Sequence, residues 1–118
     1  MLVSRDNKRM LYELRVYEIT PGKMPAFHAR FENHVLKYFA RHGIKVIGLW
    51  TTLVGESSNE VSYILAFENM ADREKRYAAF SSDPEWLVAR KESEKDGVPL
   101  VARIRNQFLA PTSYSPLK

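Results

Sequence analysis

The chain has 118 residues and a formal net charge of +4, with 45% hydrophobic residues, 27% charged residues and no cysteine. This length and composition are those of one globular domain with a single core. The absence of cysteine excludes disulfides, thiolate metal sites and a cysteine nucleophile, and it suits a reducing, cytoplasmic location. Half of the excess charge lies in residues 1–9, so we expect no binding to nucleic acid or membrane by charge alone. No apolar run approaches the ~18 residues of a membrane span.

Patterned sequence begins after the first nine residues, which are polar and aperiodic. We interpret residues 1–9 as a loose extension and residues 10–118 as one domain. Leu11–Ile19 alternates two sets of side chains and predicts the first strand. A helix is predicted from about Lys23 to His42, and Gly43 is expected to end it in the left-handed conformation.

This predicted helix carries one apolar stripe and one polar side. Arg30 and Arg41 are expected to point away from the stripe on a 3.6-residue wheel. The stripe consists of Met24, Phe27, Phe31, Val35 and Tyr38.

Two further strands follow as a hairpin. Lys45–Val54 and Glu60–Glu68 alternate as strands, and the segment GESSN between them is typical of a turn. We expect Val61, Tyr63, Leu65 and Phe67 to share one face of the third strand.

The second half of the chain predicts a broken helical segment and a last strand. Asn69 is expected to cap a helix that begins at Met70, and Asp83 with Pro84 restarts a helix that runs to Gly97. A fourth strand is predicted at about Leu100–Leu109. The resulting order, β-α-β-β-α-β, is typical of the α+β ferredoxin-like fold, with a four-stranded antiparallel sheet and the helices on one face.

The side of this sheet away from the helices is expected to hold the function. We assign the aliphatic faces to the helices, namely Leu14, Val16, Ile47, Leu49, Ile64, Ala66, Ala102 and Ile104. The opposite face then presents aromatic rings and guanidinium groups, a patch at the upper limit of what a monomer shows to water. This set contains Arg15, Tyr17, Trp50, Tyr63, Phe67, Arg103 and Arg105.

Pairing of this face with a second copy would cover the patch, which predicts a homodimer through sheet faces. Our hypothesis is a small-molecule cavity between the two sheets, with aromatic walls and arginine anchors for an acidic or polar ligand. The predicted ligand-binding residues are Arg15, Tyr17, Trp50, Tyr63, Arg103 and Arg105. In the alternative, the arginines reach the rim, pair with Glu13, Glu18 or Glu68 and leave a purely structural interface.

Five short landmarks are spread along the chain. They are YELRVYEITPG at 12–22, His42-Gly43, the G-x-W of Gly48–Trp50, DPEW at 83–86 and PTSYSPL at 111–117. In their order and spacing, these landmarks together resemble the NIPSNAP family. The resemblance implies a dimeric α/β barrel in which two ferredoxin-like sheets close around a cavity. It also implies kinship with cofactor-independent monooxygenases and haem-degrading enzymes, without a catalytic set, so the catalytic residues stay unknown.

No motif in the sequence specifies a reaction, and we expect neither a cofactor nor a metal. None of the histidines at 28, 34 and 42 forms a pair with the i, i+4 spacing of a helical metal site. Two other functions stay open. One is an RNA-binding sheet of the RRM layout, with Tyr17 and Tyr63 as stacking platforms. The other is a non-catalytic interaction or scaffold protein.

Overall fold

The structure is a computed structural model that describes residues 9–118. The loose extension predicted for residues 1–9 therefore lies, except for Arg9, outside the described residues. The elements in chain order are β1 (Leu11–Ile19), α1 (Met24–Arg30), a π-helical turn (Phe31–Val35), α2 (Leu36–Arg41), β2 (Lys45–Thr51), β3 (Glu60–Phe67), α3 (Met70–Ser81), α4 (Pro84–Ser93) and β4 (Val101–Leu109).

The four strands form one antiparallel sheet in the order β2-β3-β1-β4. The two consecutive helical segments α1–α2 and α3–α4 follow β1 and β3, as the ferredoxin-like order requires. The predicted α+β ferredoxin-like fold is confirmed, and each predicted strand agrees with the observed one to within three residues at either end.

Local sequence explains where the helices begin and end. Asn69 caps α3 by accepting a hydrogen bond from the Asp72 backbone N–H at 2.8 Å, and Asp83 caps α4 by accepting from the Glu85 N–H at 2.9 Å. Gly43, with φ +71°, follows α2 in the left-handed conformation. These three predictions are confirmed.

The core lies between the sheet and the helices. Phe27, Phe31, Val35 and Tyr38 of the predicted stripe are buried there, as expected. They meet one complete face of β3, which contributes Val61, Tyr63, Leu65 and Phe67. Phe39, Phe80 and Trp86 close the cluster from α2, α3 and α4.

The predicted orientation of β1 and β3 is wrong. Arg15 pairs with Tyr63 and Tyr17 with Val61 in the register, and this face packs against the helices. Leu14, Val16, Ile64 and Ala66 lie on the helix-free face instead. A face with charged side chains can be buried against the helices because these charges neutralise one another, as described below.

The outer strands follow the prediction more closely. Leu49 pairs with Tyr63, and Ile104 pairs with Tyr17, so both face the helices as expected. Trp50, Arg103 and Arg105 belong to the helix-free face. The register of β2 shifts between Val46 and Gly48, and strict alternation along this strand therefore fails at Ile47.

The expectation that Arg30 points to solvent is also wrong, because Arg30 is only 7% exposed. Arg30 follows Phe27 by three residues, so it lies at the edge of the apolar stripe. Helix α4 packs over this edge and covers the side chain with Trp86, whose ring centroid lies 5.6 Å from Arg30 Cζ.

Candidate functional site

The guanidinium of Arg15 is the centre of a polar cluster on the helix-facing side of β1. Arg15 is 6% exposed. Its Nε donates to the hydroxyls of Tyr63 at 2.9 Å and Tyr17 at 3.3 Å, and its Nη2 donates to Tyr17 at 3.1 Å. Its Nη1 donates to Glu13 Oε2 at 2.6 Å. Arginine does not lose its charge in proteins, so a neighbouring carboxylate is needed to balance it.

Glu13 supplies that carboxylate and is 0% exposed. Besides Arg15, its oxygens accept hydrogen bonds from Arg73 Nε and Nη2, each at 3.0 Å, and from Asn106 Nδ2 at 3.0 Å. Burial alone would raise the pKa of this carboxyl, but the hydrogen bonds from Arg73 and Asn106 and the charge of Arg15 outweigh burial and lower the pKa. Glu13 therefore stays ionised and joins β1, α3 and β4.

Three tyrosines surround Arg15. Tyr63 donates a hydrogen bond to the Tyr17 hydroxyl at 2.7 Å, and the Tyr77 ring centroid lies 4.9 Å from Arg15 Cζ and 4.5 Å from Arg73 Cζ. Burial, reinforced by the neighbouring Tyr17, raises the pKa of both Tyr63 and Tyr77. These two phenols therefore remain protonated near neutral pH and serve as hydrogen-bond donors rather than as bases.

The tyrosine cluster faces a cavity of about 460 Å³ between the sheet and the helices. This volume falls within the usual range of small-molecule sites. Arg15, Tyr17, Tyr63 and Tyr77 line one part of it. Its apolar lining comes from the core helices and includes Phe27, Phe31, Val35, Phe39, Phe80 and Trp86.

Arg30 lines the same cavity from α1. Its Nη1 donates to Glu94 Oε2 at 3.0 Å and to Ser93 Oγ at 3.2 Å. Its Nε is buried and has no hydrogen-bond partner within residues 9–118. Nearly all buried polar groups in proteins are hydrogen-bonded. A donor without an acceptor in a residue that lines a cavity is therefore unusual, and it makes Arg30 a candidate for ligand binding.

The structure divides the predicted site residues between the two faces of the sheet. It brings Arg15, Tyr17 and Tyr63 together at the cavity. Trp50, Arg103 and Arg105 belong to the helix-free face, although Arg103 also borders the cavity near the start of β4. Arg105 donates to Glu60 at 3.1 Å, a glutamate that the alternative did not name. Arg15 does pair with Glu13, as the alternative predicted, but both side chains are buried and do not lie at the rim. The expectation that all six residues face one space between two sheets is therefore wrong.

Sequence reasoning named Glu13 only as a rim partner of the arginines in the alternative, and it missed Arg30, Arg73, Tyr77 and Asn106. Glu13 carried a usable signal, because the alternation of β1 places it on the same face as Arg15 and Tyr17. A buried arginine requires a carboxylate, and this one was two residues away. The other four residues are brought in by α1, α3 and β4, and nothing in their local sequence marks them.

The described residues bear on RNA binding, on metal binding and on membrane crossing. Tyr17 and Tyr63 lie under the helices, so they do not form the exposed stacking platform that the RNA-binding alternative needs. Among residues 9–118, no group of three or more acidic, histidine or cysteine side chains is placed to hold a metal ion. Within the same range, no helix combines the length and apolarity needed to cross a bilayer.

Fold and site together define a ferredoxin-like α+β domain with a polar-walled cavity beneath its helices. The family model for NIPSNAP matches residues 12–116. The chain belongs to the NIPSNAP family.

Individual relatives agree with this assignment. The chain is 33% identical to the mouse protein NipSnap homolog 3B over 112 residues, which cover 95% of this chain and 42% of that protein. It therefore spans about two fifths of the length of this curated relative.

Solved structures of bacterial relatives have the same fold. A NIPSNAP family protein of unknown function from Agrobacterium tumefaciens superposes with a TM-score of 0.81 at 29% identity, over 94% of this chain and 96% of the other. A NIPSNAP-like domain protein from Burkholderia xenovorans gives 0.80 at 28% identity, over 92% and 90%.

Proposed function

We propose that this chain binds a small, oxygen-bearing organic molecule in the cavity between sheet and helices. The observation that carries the proposal is the buried Arg15–tyrosine network on the cavity wall. Such a network is costly to bury and orders its hydroxyls in advance, which is the property of a site that orients a ligand. The aromatic lining would hold the apolar body of the ligand, and the Tyr17 hydroxyl would meet its oxygen.

The chemistry of this wall suits an oxygen that carries or develops negative charge. Tyr63 and Tyr77 stay protonated, and Arg15 polarises the hydroxyls of Tyr17 and Tyr63 through its hydrogen bonds. Donors arranged in advance around such an oxygen lower the free energy of an enolate or phenolate. This is the support for an oxygenase-like reaction without a cofactor, which the family resemblance implies.

The proposal includes a homodimer formed through the helix-free face. That face carries half-buried Leu14, Val16 and Ile64 at its centre, with Trp50 more than half exposed near one edge. Apolar side chains at the centre of a sheet face are well covered by another sheet, and twofold pairing uses the same face of each copy. A cytoplasmic location is part of the proposal and is supported by the absence of cysteine.

A ligand screen with a filled-cavity variant tests the site. Ala102 lines the cavity, and Ala102→Phe should occupy part of it, whereas Ala79→Phe adds the same ring at an exposed position of α3 that does not line it. Small organic molecules that raise the melting temperature of the parent chain should lose this effect in Ala102→Phe and keep it in Ala79→Phe. If no molecule binds, or both variants behave alike, the scaffold alternative is favoured.

A further inference from the structure

The cavity is rich in positive charge. Among the described residues that line it, Arg15, Arg30, Arg90 and Arg103 oppose a single acidic side chain, Glu94. A cavity of this kind, with low-dielectric aromatic walls, attracts an anion. The question is which arginine is available to hold it.

Arg15 is not available. Its Nη1 is committed to Glu13, and its Nε and Nη2 are committed to tyrosine hydroxyls. The charge of Glu13 is in turn shared with Arg73. A ligand anion at Arg15 would compete with a fully buried carboxylate, so this guanidinium is a support for the tyrosines and not an anchor for an acid.

Arg30 is different because part of its guanidinium is unused. Both of its hydrogen bonds to described residues leave from Nη1, toward Ser93 and Glu94. Among residues 9–118 the buried Nε–H has no acceptor, and the guanidinium carbon lies 5.6 Å from the centroid of the Trp86 ring. Arg30 lines the cavity, and a cationic side chain there with an unused donor is the group that a bound acceptor would complete.

We infer that Arg30 anchors the carboxylate of a small aromatic acid in this cavity, an inference that rests on the proposed function. A carboxylate matches the guanidinium in charge and planar geometry. Phe31, Phe80 and Trp86 would pack on the ring of the acid.

The test compares acids with their neutral amides. Benzoate, phenylacetate and indole-3-acetate are each paired with the amide of the same skeleton, and their dissociation constants are measured by calorimetry. The parent chain should bind at least one acid about tenfold more tightly than its amide. The reason is that a charge-assisted hydrogen bond lowers a dissociation constant by about tenfold or more.

Two variants and a matched control assign this preference to Arg30. Arg30→Lys keeps the charge but removes the Nε–H, and it should reduce the preference for the acid to about threefold or less. Glu94→Gln removes the competing charge beside Arg30 and should strengthen acid binding several-fold. Arg76→Lys is the control, because Arg76 also pairs with one carboxylate, Asp72 at 2.7 Å, but does not line the cavity.

The outcomes separate the inference from the proposed function. Equal binding of acids and amides, or an acid preference that survives in Arg30→Lys while Glu94→Gln has no effect, overturns the inference and leaves a small-molecule site. Failure of every acid and amide to bind the parent chain overturns both. The inference stands if the preference falls in Arg30→Lys, rises in Glu94→Gln and is unchanged in Arg76→Lys.

Discussion

Glu13 and Arg15 set the behaviour of the molecule at the scale of single residues. They lie two positions apart on one strand and are both buried beneath the helices. Neither would be tolerated there alone, because an unpaired buried charge is strongly destabilising. Their neighbours Arg73 and Asn106 complete the hydrogen bonds of the carboxylate. The cluster therefore stabilises the fold around the cavity and also forms the polar wall of the cavity.

Glu13→Gln should therefore be severely destabilising. The amide removes the negative charge and directs N–H donors toward Arg15 and Arg73, and we expect the free energy of unfolding in urea to fall by about 3–5 kcal/mol. Glu74→Gln is the matched control, because Glu74 also pairs with Arg73, at 2.9 Å, but is exposed. Its effect should stay below about 1 kcal/mol. Similar losses in the two variants would contradict the importance of the buried pair.

At the scale of elements, α4 is held against the end of α2 through the residue that caps it. Asp83 caps α4, accepts a hydrogen bond from Arg41 at 3.1 Å and lies 2.7 Å from His42 Nε2. The hydrogen bond with His42, together with those from the Glu85 N–H and Arg41, lowers the pKa of Asp83 to about 2. One side chain thus joins a helix cap to the end of the preceding helical segment.

This cap predicts an acid-sensitive contribution to stability. A carboxyl whose pKa is lower in the folded chain than its unfolded value of ~3.9 stabilises the fold above that value. This contribution should disappear as the pH falls from about 4 to 2. Asp83→Asn keeps the cap oxygen but cannot ionise, so its urea midpoint should fall less steeply over this range than that of the parent chain. Parallel curves for the two proteins would contradict the assignment.

Elements were also the scale at which sequence reasoning was most successful. β1 was predicted with its observed bounds, and Asn69, Asp83 and Gly43 were recognised as helix ends, because strand alternation and capping are local. The orientation of β1 was predicted wrongly, since both of its faces contain apolar and charged residues. Burial of its Glu13 face depends on Arg73 and Asn106, which are distant in sequence, and only the assembled fold brings them together.

At the scale of the whole molecule, the two faces of the sheet have different roles. Its helix-facing side lines the cavity, and its helix-free side is the proposed dimer interface. Three of the predicted site residues belong to the first side and three to the second, whereas the prediction assigned all six to one face. A solution mass and a ligand contact map examine the two sides separately.

The helix-free face predicts the oligomeric state. The chain should sediment with twice its mass of 13.7 kDa, and Ile64→Glu should convert it to a monomer, because Ile64 pairs with Leu14 at the centre of this face. Leu87→Glu places the same charge at an exposed position of α4 and should leave the dimer intact. A parent chain that is monomeric at micromolar concentration would contradict the interface.

The two tryptophans offer the most direct test of where a ligand binds. Trp86 lines the cavity between sheet and helices, whereas Trp50 lies on β2 outside it. Their indole N–H signals give two resonances in a ¹⁵N-labelled sample, and Trp50→Phe assigns them. Titration with a molecule that binds the parent chain should shift the Trp86 resonance and leave that of Trp50 in place. A shift of Trp50 with Trp86 unchanged would contradict a site beneath the helices.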